Sequence, residues 1–141
     1  MENKNRCAWC EKDDLYRKYH DEEWGVPVFE DQKLFEYLLL ETFQAGVSWH
    51  LILKKRENFR KAFLDLMKDA GIIRNTLKIK SAISNAKAFL KVQEEFGSFS
   101  NYMWGFVNNQ PIENQYKDLT EVPAFTPLAE KMAKDFKKRG F

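Results

Sequence analysis

The sequence lacks the features that mark disulfide-rich, secreted and membrane-spanning proteins. Its 141 residues contain two cysteines, Cys7 and Cys10, and this pair is too small a set for a disulfide framework. No apolar run approaches the length that spans a membrane, and the N-terminus, MENKNR, is polar and mixed in charge, unlike a signal peptide. We therefore expect a cytoplasmic protein with no membrane association.

Familiar catalytic motifs are absent as well. The sequence contains no Ser/His/Asp set, Walker loop, dinucleotide-binding fingerprint or paired-carboxylate motif. Aromatic residues, in contrast, make up 15% of the chain, an excess that suits either stacking surfaces or a well-filled core. Any chemistry must therefore rely on one carboxylate, on aromatic faces and on a basic surface.

Hydrophobic periodicity predicts an all-α fold. No β-type alternation persists in any segment, and apolar residues at helical spacing predict six or seven helices in one domain over residues 1–141. Expected caps are Asp13 or Asp14 for an early helix, Asp31 at the start of the central helix and Gly46 at its end.

The central helix, within residues 34–49, carries the most informative side chain. One stripe at helical spacing consists of Leu34, Leu38, Glu41 and Ala45. A carboxylate on an apolar stripe is costly unless it is paired or faces a pocket. Glu41 therefore either escapes to solvent at the helix end or serves as a recognition carboxylate at the floor of an aromatic cavity.

Basic residues are concentrated in the middle of the chain. Residues 1–53 hold 6 Lys/Arg and 11 Asp/Glu, whereas residues 54–91 hold 11 Lys/Arg and 3 Asp/Glu. This local excess fits a polyanion-binding surface, although a solvated helix face would look similar. A helical hairpin with Gly71 in its turn, and Arg74 and Lys78 beside a helix N-terminus, suits a phosphate; an ordinary α-hairpin has the same pattern.

Three residues near the N-terminus are candidate metal ligands, namely Cys7, Cys10 and His20. The sequence offers one further histidine, His50, and no later cysteine. A closed four-ligand zinc site would therefore need His50, a carboxylate or a water. Buried thiols beside a hydrogen-bonded core histidine are the alternative.

Six segments form a recognisable series along the chain. They are YHDEEWGVP at 19–27, LFEYLLLETFQAGVSW at 34–49, LKKRENFRKAF at 53–63, DAGIIRN at 69–75, KIKSAISNAKAFL at 78–90 and W-x-F-V-N-x-Q-P at 104–111. Together they resemble the bacterial DNA-3-methyladenine glycosylase I family, within the helix-hairpin-helix superfamily of DNA glycosylases. The resemblance covers nearly the whole chain and implies that superfamily's helical fold, with the hairpin motif at about residues 64–91.

The resemblance implies a monofunctional base-excision repair glycosylase. Such an enzyme flips an alkylated nucleotide out of double-stranded DNA and hydrolyses its N-glycosidic bond with water, which releases free 3-methyladenine. By position, Glu41 matches the catalytic-site carboxylate that hydrogen-bonds the adenine edge. The matching base-binding aromatics are Tyr19, Trp49 and Trp9. A monomer in the bacterial cytoplasm is expected.

The resemblance also implies specific DNA contacts. Gly46 and Val47 match the turn that plugs the gap left by the flipped base. The phosphate-gripping hairpin corresponds to Gly71, Arg74 and Lys78. Unlike most of the superfamily, this family lacks a catalytic Asp after the hairpin, and the corresponding region here likewise offers none.

Structural zinc is a further expectation from the resemblance, because Cys7 and His20 match the N-terminal half of the family's zinc site. The sequence is shorter than the family pattern between Phe63 and Asp69, and it stops at KKRGF, where relatives continue into a segment with one more His and one more Cys ligand. Zinc is therefore expected with half of its usual ligand set.

Two other functions fit some of these features. A non-catalytic relative would bind alkylated DNA or the free base, with salt-sensitive affinity for DNA, and would release no base. A zinc-linked interaction module would use Cys7, Cys10 and His20 with a partner protein and would be indifferent to DNA. The basic region at 54–91 favours a DNA partner.

Overall fold

The computed structural model describes residues 6–62 and 76–141. These residues form six α-helices and two short 3-10 helices with no strand among them, which confirms the all-α prediction. The α-helices are α1 (Asp14–Glu22), α2 (Asp31–Gln44), α3 (Trp49–Ala62), α4 (Thr76–Phe96), α5 (Phe99–Gly105) and α6 (Pro127–Arg139). The 3-10 helices are Ala8–Cys10 and Leu119–Glu121. No helix in this part of the chain has the length and apolar character needed to cross a bilayer.

The chain divides into two compact units. The first draws on the ranges Met1–Val28 and Tyr37–Ile79, and the second on Phe29–Glu36 and Lys80–Phe141. Helices α2 and α4 contribute residues to both units. The single domain expected over residues 1–141 stays a prediction. Of the hairpin motif expected at about 64–91, residues 64–75 lie outside the described residues, and α4 contains the rest.

Side-chain caps begin three helices, and the first of them, Asp13, is one of the two candidates predicted for α1. The Asp13 carboxylate accepts a hydrogen bond from Tyr16 N at 3.0 Å and caps α1. Ser98 caps α5 in the same way. Thr126 caps α6, which opens with Pro127, a residue whose fixed φ suits the first helical position.

The buried face of α2 differs from the predicted stripe. Its buried side chains are Leu39, Leu40 and Phe43. Glu41 and Ala45 are exposed, and Leu34 and Leu38 are partly exposed, so the stripe that these four residues form is not the side of α2 that packs in the core. The segment is apolar on several sides, and periodicity alone could not select the side that packs.

Helical spacing predicts the buried face of α3 correctly and that of α4 only in part. On α3, helical spacing predicts an apolar stripe at Ile52, Leu53, Arg56, Phe59 and Phe63; the first four are buried, and Phe63 lies outside the described residues. On α4, helical spacing places Ile79, Ala82, Ile83, Ala86 and Phe89 on the inner face, but Ile83 is 45% exposed. Ala82 and Phe89 are buried as predicted, and α4 buries Asn85, Ala88 and Val92 in addition.

Asp31 caps a different helix from the one predicted. It is the first residue of α2, and its carboxylate accepts hydrogen bonds from Phe99 N at 2.9 Å and Ser100 N at 2.7 Å. A third hydrogen bond, at 2.6 Å, comes from Gln93 Nε2. Both backbone donors belong to the first turn of α5, where N–H groups have no partner within the helix. Burial alone would raise the pKa of Asp31, but these hydrogen bonds lower it on balance.

We expect Asp31→Ala to lower the free energy of unfolding by about 1–3 kcal/mol, because two backbone donors of α5 lose their acceptor. Urea denaturation at neutral pH measures this change. Asp14→Ala is the matched control, since Asp14 also lies in a first helical turn but is 97% exposed in its pair with Arg17. The Asp14→Ala substitution should lower the free energy of unfolding by no more than about 0.5 kcal/mol. Equal losses in the two variants would contradict the capping role of Asp31.

Candidate functional site

A cavity of about 300 Å³ lies in the first unit. It is lined by Trp9, Tyr16, Tyr19, Trp24, Glu41, Gln44 and Trp49. Five of these seven side chains are aromatic and one is a carboxylate. The volume is at the lower end of the range found for small-molecule sites. The lining therefore suits a small, flat ligand that can stack on rings and pair with an acid.

The aromatic wall is built around Trp9. Its ring centroid lies 4.9 Å from that of Tyr16 and 6.4 Å from that of Tyr19, two residues that share a face of α1 because they are three positions apart. Trp24 meets Trp9 edge-on, with centroids 5.3 Å apart. Trp49, the first residue of α3, extends the wall, and its ring centroid lies 5.7 Å from that of Tyr19.

Asp13 links α1 to α3 behind this wall. One carboxylate oxygen accepts the hydrogen bond from Tyr16 N, and the other lies 2.7 Å from His50 Nε2. The His50 ring stacks on the Tyr16 ring, with centroids 4.9 Å apart. The backbone bond from Tyr16, followed by the His50 contact, lowers the pKa of Asp13 to about 2. The carboxylate is therefore ionised at neutral pH and available to both partners.

Glu23 links α1, α2 and α3. It follows the last residue of α1, and its Oε2 accepts a hydrogen bond from Arg56 Nη1 of α3 at 2.7 Å. The Tyr37 hydroxyl of α2 donates to the same oxygen. The Arg56 guanidinium also lies 5.3 Å from the Tyr37 ring centroid. These contacts fix the chain immediately before Trp24.

Glu41 lines the cavity from the last turn of α2. The residue is accessible to solvent, but it lies among the rings of the cavity wall and not apart from them. Burial raises the pKa of its carboxyl above the usual value. No hydrogen bond or ion pair reaches the carboxylate from residues 6–62 or 76–141. This acid is therefore desolvated in part and not compensated by a cation in the described chain.

Tyr19 and Trp49, which line the cavity with Glu41, are also in unusual environments. Burial raises the pKa of Tyr19; the neighbouring Trp49 N–H opposes this effect, and the Glu41 charge adds to it. The indole nitrogen of Trp49 is buried, and within the described residues it meets no acceptor in good hydrogen-bond geometry. Buried donors without a partner are uncommon in folded proteins. The cavity wall thus includes a donor and an acceptor that the described protein does not use.

The cavity brings together four residues predicted from the sequence, namely Glu41, Tyr19, Trp49 and Trp9. Their individual roles stay predictions. Three further lining residues, Tyr16, Trp24 and Gln44, were not among the predicted site residues. Helical spacing carried a signal for two of them, since Tyr16 precedes Tyr19 by three positions and Gln44 follows Glu41 by three.

The turn predicted to contact DNA follows directly after α2. Gly46 has a φ of +82°, a conformation that glycine adopts without strain. Val47 N donates a hydrogen bond to Gln44 O at 2.8 Å, which closes the turn. The turn is thus joined to the helix end that carries Glu41.

The other predicted DNA contacts are Gly71, Arg74 and Lys78. Gly71 and Arg74 lie outside the described residues. Lys78 lies in the first turn of α4, and its ammonium donates a hydrogen bond to Ala45 O at 2.6 Å. The DNA-contact roles of these residues stay predictions.

Two of the three candidate metal ligands, His20 and Cys10, have protein partners at their ligating atoms. His20 Nε2 accepts a hydrogen bond from Cys7 N at 3.4 Å, and His20 Nδ1 lies 3.1 Å from Asp21 Oδ1, so both ring nitrogens are engaged. The buried Cys10 thiol donates to Cys7 O at 3.0 Å. In the ranges 6–62 and 76–141, no group of three or more His, Cys, Asp or Glu side chains is placed to hold a metal ion. The described residues therefore do not fit the zinc site expected at Cys7 and His20.

Comparison with known proteins identifies related sequences and folds. A sequence model described as methyladenine glycosylase matches residues 9–66 and 64–141. The DNA-3-methyladenine glycosylase of Haemophilus influenzae is 42% identical to the chain, with 96% of this chain and 82% of the relative covered. DNA-3-methyladenine glycosylase 1 of Escherichia coli is 43% identical, with 96% and 81% covered.

A solved structure has the same fold. The 3-methyladenine DNA glycosylase I of Staphylococcus aureus, determined to explain its recognition of 3-methyladenine, superimposes with a TM-score of 0.90 at 34% sequence identity. The superposition covers 97% of this chain and 81% of that one.

The raised pKa of Glu41 predicts a pH-dependent cost to stability. An acid whose pKa is raised by folding contributes stability below its unfolded value, near 4.5, and that contribution is lost as pH rises through the folded pKa. We therefore expect Glu41→Gln to raise the melting temperature at pH 7, with a gain that shrinks as pH falls through the Glu41 pKa. Thermal melts from pH 4 to 8 measure it. The control, Glu22→Gln, removes an exposed charge from α1 and should show no such trend; a destabilised Glu41→Gln at pH 7 would contradict the account.

The engaged nitrogens of His20 predict that the chain folds without zinc. Elemental analysis of the purified protein should find no stoichiometric zinc, and EDTA should leave the melting temperature unchanged. Addition of zinc to the treated protein is the control for reversibility. One zinc ion per chain, or a melting temperature that falls with EDTA and recovers with zinc, would show that the chain binds a metal and that His20 gives up its present partners for it.

Proposed function

The chain belongs to the methyladenine glycosylase family, and we propose that it removes 3-methyladenine from alkylated DNA by hydrolysing the N-glycosidic bond. The observation that carries this proposal is the aromatic cavity with Glu41 in its wall. The family's activity supplies the reaction class, and the cavity supplies a chemical reason for the choice of base.

The charge of the substrate explains the composition of the cavity. An adenine methylated at N3 is cationic in DNA, so its glycosidic bond is already weak and needs little acid catalysis. Each aromatic face offered to such a cation contributes roughly 0.5–2 kcal/mol. Tyr19, Trp49 and Trp9 are the residues that we assign to this contact. The partly desolvated cavity strengthens the attraction, because few waters compete with the cation.

Glu41 is assigned to the adenine edge. A charged adenine offers the N–H donors of its amino group, and a carboxylate that has no partner among residues 6–62 and 76–141 is a suitable acceptor for them. The same negative charge favours the cationic base over a neutral one and stabilises the positive charge that grows on the sugar as the bond to the base breaks. Water then attacks the sugar, so no covalent enzyme intermediate is needed. The Gln44 amide, one turn along, is a second polar group for the base.

The base must leave the duplex to enter a cavity of this kind. Flipping costs a few kcal/mol, less for a damaged pair. We assign Gly46 and Val47 to the gap that the base leaves, and the hairpin with Gly71 and Arg74 to the phosphate backbone. Double-stranded DNA as substrate, a monomeric enzyme and a bacterial cytoplasmic location complete the proposal.

A non-catalytic binder of alkylated DNA or free base is the second candidate, since the same cavity would serve it. It differs in one measurable respect, which is the absence of base release. A zinc-linked interaction module has less support, because both ring nitrogens of His20 and the Cys10 thiol have protein partners in the described chain.

We expect the protein to release 3-methyladenine from alkylated duplex DNA. Glu41→Gln should slow the single-turnover rate by roughly tenfold to a hundredfold, the effect of losing a hydrogen bond to a charged group. Trp49→Ala should slow it by roughly 2- to 30-fold through lost stacking. Chromatography of the released base measures both rates, and Glu22→Gln serves as the charge-matched surface control.

The alternatives give different results in the same assay. Salt-sensitive duplex binding without any base release would identify the non-catalytic binder. Wild-type rates in both Glu41→Gln and Trp49→Ala would refute the assigned site while leaving the family membership intact.

A further inference from the structure

The C-terminal end of α2 is held by a lysine from α4. The last carbonyls of an α-helix have no partner within the helix. Lys78 Nζ donates a hydrogen bond to Phe43 O at 2.8 Å and another to Ala45 O at 2.6 Å. Both lengths are those of charge-assisted hydrogen bonds. A cation at this position also complements the negative end of the helix dipole.

The same helix end carries the residues assigned to the base and to the gap. Phe43 follows Glu41 by two positions, and its side chain is 1% exposed, packed on Phe59 with ring centroids 4.8 Å apart. Gly46 and Val47 follow Ala45 directly. The helix end is thus anchored on its apolar side by Phe43 and on its carbonyl side by Lys78.

We propose that Lys78 is a positioning residue that holds the end of α2, and with it Glu41 and the Gly46–Val47 turn, in the geometry needed for base excision. The inference rests on the proposed function for its catalytic consequence. It gives Lys78 a different role from the phosphate contact expected from the sequence, since two of the three ammonium protons already point at backbone carbonyls.

Lys78 is also close in sequence to the segment that we assign to the DNA backbone. It lies in the first turn of α4, immediately after the segment 69–75 that we assign to the DNA backbone. A single side chain therefore connects the start of α4 to the turn assigned to the gap. Loss of that connection should disturb the bound geometry more than the strength of DNA binding.

Salt dependence separates positioning from phosphate contact. Lys78→Met keeps the aliphatic stem and removes the charge, and Lys87→Met removes an exposed charge from the same helix as the control. We expect Lys78→Met to lower the single-turnover rate at saturating alkylated duplex by roughly tenfold, the effect of about 1.4 kcal/mol. The slope of log affinity against log salt should stay at the wild-type value. Lys87→Met should retain the wild-type rate at saturation.

The opposite pattern would overturn the proposal. A phosphate contact predicts a salt slope that is smaller by about 1 in Lys78→Met, with a wild-type rate at saturating DNA. Lys78→Gln, which keeps N–H donors without the charge, should lose less rate than Lys78→Met. If Lys78→Met does not fold, Lys78→Gln is judged by the same two measurements.

Amide exchange tests the positioning without relying on activity. The Val47 amide is bonded to Gln44 O, so its exchange with solvent reports on the turn. We expect exchange at Val47 to be several-fold faster in Lys78→Met than in wild type or Lys87→Met. Unchanged exchange in Lys78→Met would refute the positioning role. Absence of base release from wild-type protein would refute the proposed function instead, and the exchange result would still decide the role of Lys78.

Discussion

The site depends on a carboxylate that is desolvated in part and has no hydrogen-bond or ion-pair partner among residues 6–62 and 76–141. Desolvation penalises the charge of Glu41, and aromatic side chains line the cavity with it. A neutral ligand would leave that charge uncompensated. A cationic purine gains from the carboxylate and from the ring faces together, so the same arrangement that is unfavourable in the free protein favours the damaged base over its undamaged counterpart.

Such a site requires rigid walls, and the contacts of two carboxylates supply them. Asp13 joins the start of α1 to His50, next to Trp49 on α3. Glu23 joins the end of α1 to Arg56, further along α3. The two contacts hold α1 at both ends, so the rings that α1 presents to the cavity have little freedom to turn. Each of these carboxylates satisfies more than one donor, which suits groups that are partly removed from water.

Much of this arrangement could be predicted from the sequence, because it depends on local spacing. The helices, the Asp13 cap and the association of Glu41 with Tyr19 and Trp49 followed from periodicity and from the family resemblance. The wrong predictions concern contacts between helices, which local spacing does not determine. Asp31 precedes an apolar run and has the pattern of a cap for its own helix, yet its acceptors are used by backbone donors of α5. The sequence pattern likewise does not determine which side of α2 packs in the core, since apolar residues occupy several sides of that helix.

The N-terminal segment is joined to α1 by direct protein contacts. The resemblance assigns this segment a zinc ion, and Trp9 must be held there if the cavity is to keep its wall. In this chain Arg6 forms paired hydrogen bonds to Asp21, at 3.0 and 2.7 Å, and the Cys7 amide is bonded to His20. The His20 ring also packs against Trp9, with centroids 5.3 Å apart. Each of these contacts joins the segment to α1, so the position of Trp9 follows from hydrogen bonds and ring packing between residues that the chain already contains.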